Sequence, residues 1–265
     1  MMTHNPETRL RAVIDAIGPM ALAVSGGVDS MTLAHVAREQ LGDRVAMFHA
    51  LSPAVPAEAS ARVRRHAEGG GWRLEVVNAG EMEDPRYLEN PINRCFFCKT
   101  NLYARIAGLT ELTIVSGTNV DDLGDFRPGL QAARDHRVRH PYVEAGLIKD
   151  DVRQVARGLG LDDLSELPAA PCLSSRIETG LKVTTKRLAL VEAIETALRD
   201  GIGQGTIRCR VRATGVVVEL GEDLLSRMGE SNQGRIETIL RDHGHGGVAV
   251  YEAYRQGSAF LRDRG

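Results

Sequence analysis

The residues best suited to chemistry begin with Ser25-Gly26-Gly27-Val28-Asp29-Ser30. Two adjacent glycines let a backbone turn tightly and approach an anion closely. Hydroxyls at Ser25 and Ser30, with the free N–H groups and positive dipole end of a following helix, would cradle phosphate oxygens. The Gly-Lys-Ser/Thr ending of a Walker loop and the G-x-G-x-x-G of a dinucleotide fold are both missing. The plainer alternative is a strand-to-helix turn with serine as N-cap. A second segment, Ser116-Gly117-Thr118-Asn119-Val120-Asp121-Asp122, offers carboxylates. Mg²⁺ prefers a few of these together with phosphate oxygens. Its alternative is an Asn/Asp-rich turn.

Four cysteines follow. Cys95-Phe96-Phe97-Cys98 is a C-x-x-C that fits zinc, iron–sulfur or redox roles. Cys172 stands alone in Pro171-Cys172-Leu173-Ser174-Ser175-Arg176, and Cys209 lies in an apolar-alternating run as a small core filler. Three thiols can hold a [4Fe–4S] cluster and leave one iron open, whereas a closed site takes four. Three unrelated thiols, or a zinc site completed by His49 or His66, stay open at this point. Arg208, Arg210 and Arg212 alternate along one predicted strand and so share a face. They read as an anion clamp or as a solvated strand face. The basic run at residues 134–140 and the pair His243 and His245 read more simply as a solvated helix end and a glycine-rich turn.

Elements must position these groups. Short apolar runs at residues 20–24, 45–48, 73–77 and 112–115 alternate with helical stretches at 31–41, 57–68 and 99–107. That rhythm predicts βαβ units and a buried parallel sheet, with ligand at the carboxyl ends of the strands. Residues 78–94 read as a long functional loop. Helices at 127–135 and 149–159 precede an irregular stretch at 165–180. Beyond it come a helix at 184–199, a hairpin at 206–212 and 216–220, a helix at 231–241 and a last strand at 247–251. The expected organisation is an α/β domain over residues 1–180 followed by a smaller α+β domain over 181–265.

The chain has 265 residues, 26% charged and 43% hydrophobic, with a net charge of −2. These values fit a globular protein and argue against a broad nucleic-acid-coating surface. No apolar run approaches the roughly 18 residues that span a bilayer. The polar first residues carry no apolar signal segment, so a cytoplasmic location with reduced thiols is expected.

The Ser-Gly-Gly-x-Asp-Ser signature resembles that of the PP-loop ATP pyrophosphatases. Further segments occur in order: Asp125-Phe126-Arg127-Pro128-Gly129-Leu130, Glu144-Ala145-Gly146-Leu147, Asp151-Val152-Arg153, Cys172-Leu173-Ser174-Ser175-Arg176-Ile177 and Tyr254-Arg255-Gln256-Gly257-Ser258. Together they resemble the LarE family of PP-loop sulfur transferases over nearly the whole chain. The resemblance implies adenylation of a pyridinium dicarboxylate mononucleotide by ATP and Mg²⁺, release of pyrophosphate, and conversion of carboxylate to thiocarboxylate on the way to a nickel-pincer cofactor. It also implies the branch in which Cys95, Cys98 and Cys172 hold a [4Fe–4S] cluster. Ser25, Gly26, Gly27, Asp29, Ser30, Thr118, Asn119, Asp121, Arg127 and Arg212 are the implied nucleotide and anion ligands. Cys172, Asp29 and Arg176 are the implied catalytic group, with Arg176 on the substrate phosphate. Expected partners are the anionic mononucleotide, a sulfide or other sulfur donor and further copies of the chain, without membrane or nucleic acid. The chain departs from the family pattern at Leu167-Pro168-Ala169, Glu178-Thr179-Gly180 and Ala213-Thr214, which leaves the sulfur acceptor open. The competing readings are a tRNA thiolase, a sacrificial-cysteine transferase without a cluster, and a nucleotide-binding module without chemistry.

Overall fold

The computed structural model describes residues 5–124, 127–169 and 171–255. In chain order the first half contains α1 (Pro6–Ile17), β1 (Met20–Ala23), α2 (Val28–Leu41), β2 (Val45–Ala50), α3 (Ala57–Gly69), β3 (Arg73–Val77), α4 (Pro85–Leu88), α5 (Arg94–Ala107) and β4 (Thr113–Ser116). Then come α6 (Pro128–Asp135), α7 (Pro141–Glu144), α8 (Lys149–Gly158), α9 (Asp162–Ser165), α10 (Thr185–Ile202), β5 (Ile207–Arg212), β6 (Gly215–Leu220), α11 (Glu222–Leu225), α12 (Glu230–Asp242) and β7 (Val250–Ala253). No described helix is long and apolar enough to cross a membrane.

The chain divides into two units. The first comprises Met1–Glu81 and Asn93–Ala169, and the second Met82–Ile92 and Ala170–Gly265. This differs from the expected boundary at residues 180 and 181 in two ways. The division falls earlier, and a strap from the long loop joins the second unit. Hydrogen bonds give the reason: Gly180 N donates to Asn90 O and Val183 N to Leu88 O. Asn90, fully buried with φ +57°, donates through Nδ2 to the carbonyls of Ile177, Glu178 and Leu181.

The first unit holds a four-stranded parallel sheet in the order β3-β2-β1-β4. All four residues of β1 are buried, as the continuous apolar run requires. Met20 and Leu22 pack on one face with α1, α2 and α8 through Leu10, Ile14, Met31 and Val152. Ala21 and Ala23 face the other way, toward Phe48, Leu102, Ile106 and Ala132. Alternation along one strand thus serves two helical layers. β2 and β4 flank β1, so the strand order reverses beside it, and a crevice at the carboxyl ends of β1 and β4 is the natural ligand position. The expected strands and their parallel pairing hold. Helix α1 falls outside the sequence reading, although Asn5 caps it by accepting from Glu7 N and proline occupies its first turn.

The second unit pairs β5 with β6 antiparallel and β6 with β7 parallel. α10 packs on this sheet through the stripe Leu188, Val191, Ile194, Leu198 and Ile202.

Candidate active site

The turn after β1 is built for close approach. Gly26 has φ +81°, and a Cβ there would sit 2.5 Å from Ala59 O, so only glycine fits. Gly27 is the N-cap of α2 with no side chain capping the helix, which leaves its first N–H groups to an incoming anion. Ser30 Oγ accepts from Ser25 N at 3.0 Å and lies 3.0 Å from Ser25 Oγ. Behind the turn, buried Arg62 donates to Gly26 O at 2.8 Å.

The segment after β4 closes on this turn. A Cβ on Gly117 would lie 2.8 Å from Ser30 N, so the two backbones meet without an intervening side chain. Asn119 Nδ2 donates to Asp29 Oδ1 at 3.2 Å, and Asn119 Oδ1 accepts from Asp121 N. Lys149 Nζ reaches Asp29 Oδ2 at 2.6 Å, while its backbone N–H donates to Asp121 Oδ2 at 2.9 Å. Tyr142, buried under the turn, donates to Asp29 O, and burial raises its phenol well above the ordinary value. Thr118 Oγ1 meets Ser116 Oγ, which meets His140 Nδ1 at 2.9 Å. Burial first of all lowers the pKa of His140. Ser25, Gly26, Gly27, Asp29, Ser30, Asn119 and Asp121 therefore come together, with Thr118 beside them. Arg127 joins at one remove, through a 2.8 Å pair with Asp122, whose other oxygen accepts from Asn119 N. The family motif's Asp125 and Phe126 and the closing Gln256, Gly257 and Ser258 lie outside the described residues.

Cys95 and Cys98 lie in the first two turns of α5, which starts at Arg94 rather than at the expected 99. Three residues apart on a helix, they share a face; Cys95 is exposed and Cys98 half-buried. α6 packs close beside them because Gly129 carries no side chain. A Cβ there would press Lys99 Cγ at 3.1 Å and come within 3.7 Å of Cys95 O. His49 and His66 do not complete a zinc site. Both ring nitrogens of each are hydrogen-bonded, His49 to Val24 O and Ser60, His66 to His35 and Asp163. Among the described residues no group of three or more His, Cys, Asp or Glu side chains is gathered to hold a metal ion.

In the second unit Cys172 precedes the 3₁₀ turn Leu173–Arg176 and is half-buried. Its carbonyl accepts from both the backbone N–H and the hydroxyl of Ser175. Tyr87 of the strap meets Ser174 Oγ at 2.6 Å. Arg176, expected on a substrate phosphate, is instead 3% exposed and forked onto Glu195 at 2.8 and 3.2 Å. Its remaining amino group donates to Pro171 O and Ser175 Oγ. These bonds use four of the five guanidinium N–H groups, and with its burial they place Arg176 as a support of the Cys172 turn.

The arginine strand is neither a bare clamp nor a solvated face. Arg210 is buried, donates to Glu219 Oε2 at 3.1 Å and reaches Ser175 O at 2.9 Å. Arg212, more exposed, donates to Glu219 Oε1 at 3.0 Å. Burial, then neighbouring Arg176, lowers the pKa of Arg208, which lies over the Tyr254 ring. Buried Glu195 and Glu219 are the counter-charges. Cys209 is fully buried and its thiol is pushed far up by burial, in keeping with a core filler.

No protein-family model matches the chain. An uncharacterized protein of Synechocystis sp. is 36% identical over 223 residues, which is 83% of this chain and 82% of that protein. The chain belongs to the family of this Synechocystis protein. An uncharacterized protein of Methanocaldococcus jannaschii is 26% identical over 88% of this chain and 90% of its own length. The pyridinium-3,5-bisthiocarboxylic acid mononucleotide synthase of Lactiplantibacillus plantarum is 28% identical over 218 residues, 80% of this chain and 78% of that enzyme. The similarity to this synthase spans both units and supports the resemblance to the LarE family.

Lys149, Tyr142 and Arg62 support the glycine turn of the first unit, Glu195 and Glu219 pair the arginines of the second, and none carries a motif of its own. The one signal available for Glu195 is its place in the apolar stripe of α10, where an acid needs a buried cation.

Proposed function

We propose that the protein adenylates a carboxylate of a small anionic mononucleotide with ATP and then exchanges oxygen for sulfur. The observation that carries the reading is the glycine turn at the mouth of α2, backed by Gly117 and the Asn119–Asp29–Lys149 network at the β1/β4 crevice. Ser25, Gly27 and Ser30 bind the β and γ phosphates through N–H and hydroxyl groups. Thr118, Asn119, Asp121 and Arg127 serve the nucleotide side, and Arg212 serves the substrate anion. The donor set around Asp29 and Asp121 is hard oxygen and suits Mg²⁺, with Lys149 sharing Asp29. Mg²⁺ would supply charge neutralisation on the phosphates.

A substrate carboxylate oxygen attacks the α phosphorus, and the bond to the bridging oxygen breaks with pyrophosphate leaving. Sulfide then attacks the acyl carbon, and AMP departs with the former carboxylate oxygen. Activation splits one hard displacement into two easier ones.

For the sulfur source, the donor chemistry of Cys95 and Cys98 fits two thiolate ligands on one helical face. Cys172 is assigned as third ligand on the sequence pattern. A [4Fe–4S] cluster held by three thiolates would supply a sulfide from its open iron. Arg176, Ser174 and Tyr87 hold the Cys172 turn in shape.

The test is an anaerobic assay with ATP and a pyridinium dicarboxylate mononucleotide, following AMP, pyrophosphate and the mass of the product, alongside iron and acid-labile sulfide analysis. Equimolar AMP and pyrophosphate with a thiocarboxylate product is the expected result. Pyrophosphate release without sulfur incorporation would remove the transferase reading. Cys172 emerging one sulfur lighter from an iron-free protein would replace the cluster with a sacrificial thiol.

A further inference from the structure

An open cleft of about 580 Å³ lies wholly within the second unit, where the start of α10 meets the end of α12. It is lined by Lys182, Thr184, Lys186, Arg187, His243 and His245, and no acidic side chain lines it. Among the described residues none of Lys182, Lys186 and Arg187 takes part in an ion pair. Arg187 Nη1 donates to Lys182 O, and Arg187 N donates to the capping Thr184 hydroxyl.

The fold gives no structural reason for this concentration of charge. Lysines at a helix C-terminus normally serve its last carbonyls. Here those of Ile239, Leu240 and Arg241 are already taken by the backbone N–H groups of His243, His245 and Gly244. Lys186 Nζ lies 2.9 Å from where a Cβ on Gly244 would stand, and Gly244 has φ +72°, so the glycine makes room for the ammonium. His243 donates through Nδ1 to Ile239 O, which fixes its ring. Like charges held together in a concavity repel one another, and an anion seated among them reverses that cost. The N-terminus of the 18-residue helix α10 adds its positive dipole end.

We infer that this cleft binds a small phosphoryl anion, through Lys182, Lys186, Arg187 and the start of α10, independently of the phosphate-binding turn of the first unit. The volume suits a mononucleotide-sized ligand, and the shared chemistry is the phosphoryl oxygens, whether of a phosphate ester or of free pyrophosphate.

The full chain is titrated calorimetrically at fixed ionic strength with pyrophosphate and, separately, with AMP. Three forms are compared: the natural protein, Lys182→Ala with Lys186→Ala, and Ser25→Ala with Ser30→Ala. The lysine pair is exposed, so its removal leaves the fold intact, and circular dichroism confirms this. Two pyrophosphate sites are expected in the natural protein. The lysine variant weakens one by about tenfold or more, as the loss of charge-assisted contacts predicts, and keeps its ATP-dependent pyrophosphate release. The serine variant retains that same site. AMP binding that tracks the lysine variant identifies a phosphate ester; binding of pyrophosphate alone identifies the free anion. Isotherms identical in the lysine variant and the natural protein, or loss of all binding in the serine variant, overturn the inference. Tight, salt-steep binding of a short RNA at these lysines with no pyrophosphate site overturns it in favour of a nucleic-acid surface.

Discussion

Lys149 Nζ stands 2.6 Å from Asp29 Oδ2, tying the first turn of α8 to the glycine turn at the start of α2. Both side chains remain about a third exposed, so the pair contributes little to stability, about 0–1 kcal/mol. Its value is positional. In the proposed reaction, an ammonium held at the mouth of the turn would follow the negative charge that builds on departing pyrophosphate.

Lys149→Met is therefore expected to lower pyrophosphate release by about 10²–10³-fold, the range for losing one preorganised transition-state contact. Thermal stability should move little. Lys149→Arg should recover part of the rate. Steady-state kinetics beside a melting curve separate this from a structural role, which would lower the melting temperature first.

Gly26→Ala sets a Cβ against Ala59 O and forces an unfavourable backbone angle on a side-chain-bearing residue. A stability loss of about 1–3 kcal/mol is expected, together with loss of ATP binding. Gly18→Ala is the control: its φ is +72° but nothing lies within 4 Å of the added carbon. It should cost about 1–3 kcal/mol from backbone strain alone and leave nucleotide binding unchanged. Urea unfolding and nucleotide titration of the two variants test the contrast.

Removing one side of the Arg176–Glu195 pair strands a buried charge. Glu195→Ala and Arg176→Ala should each cost about 3–5 kcal/mol, and Arg176→Lys should rescue poorly because the fork onto two carboxylate oxygens is lost. A stable Arg176→Ala protein with only a raised KM would instead restore Arg176 to the substrate phosphate.

The thiols should separate cleanly. Cys95→Ala, Cys98→Ala and Cys172→Ala should each impair iron retention after anaerobic reconstitution and abolish sulfur transfer, while pyrophosphate release persists. Cys209→Ala should leave iron and sulfur transfer intact, because that residue is closed off in the core. Removing iron by chelation should stop sulfur transfer and spare adenylation. Iron analysis and product mass spectrometry read each case.

A pH prediction comes from the pair His35 and His66. His35 Nε2 lies 2.9 Å from His66 Nδ1, and His66 Nε2 lies 2.9 Å from Asp163 Oδ2. Burial, with His66 adding to it and Asp163 opposing, lowers His35 to about 4. The unfolded chain therefore binds this proton at a higher pH than the folded one. The stability contribution is full above about pH 6.5 and is lost as pH falls toward 4, at most about 3 kcal/mol. His35→Gln should flatten the stability curve over that window, as urea midpoints between pH 4 and 7 would show.

The sheet was legible because local pattern and burial agree. Runs such as Met20–Ala23 are apolar on both faces, and only a two-layered parallel strand needs that. The glycine turn after β1 was legible because its glycines answer to backbone geometry, which leaves a fixed imprint on residue type. Lys149 and Glu195 left no such imprint. A lysine at a helix start and an acid within an apolar stripe take their meaning from partners 120 and 19 residues away. Arg208, Arg210 and Arg212 show the same limit: alternation places them on one face, but Glu219, which pairs two of them, reaches that face from the neighbouring strand. The early start of α5 escaped the periodicity because its first turn, Arg94 to Phe97, buries only Arg94.

The strap Met82–Ile92 gives the chain a timetable. Every segment of the four-stranded sheet and its helices precedes Ala170, so that unit can assemble on the ribosome while the rest is still being made. The strap cannot. Asn90 must wait for Ile177 and its neighbours, 87 residues later, before its amide has carbonyls to bind. Closing so long a loop is slow more than it is costly. The last unit to settle is therefore the one that shapes the turn around Cys172, so a newly made chain completes its glycine turn after β1 before that one.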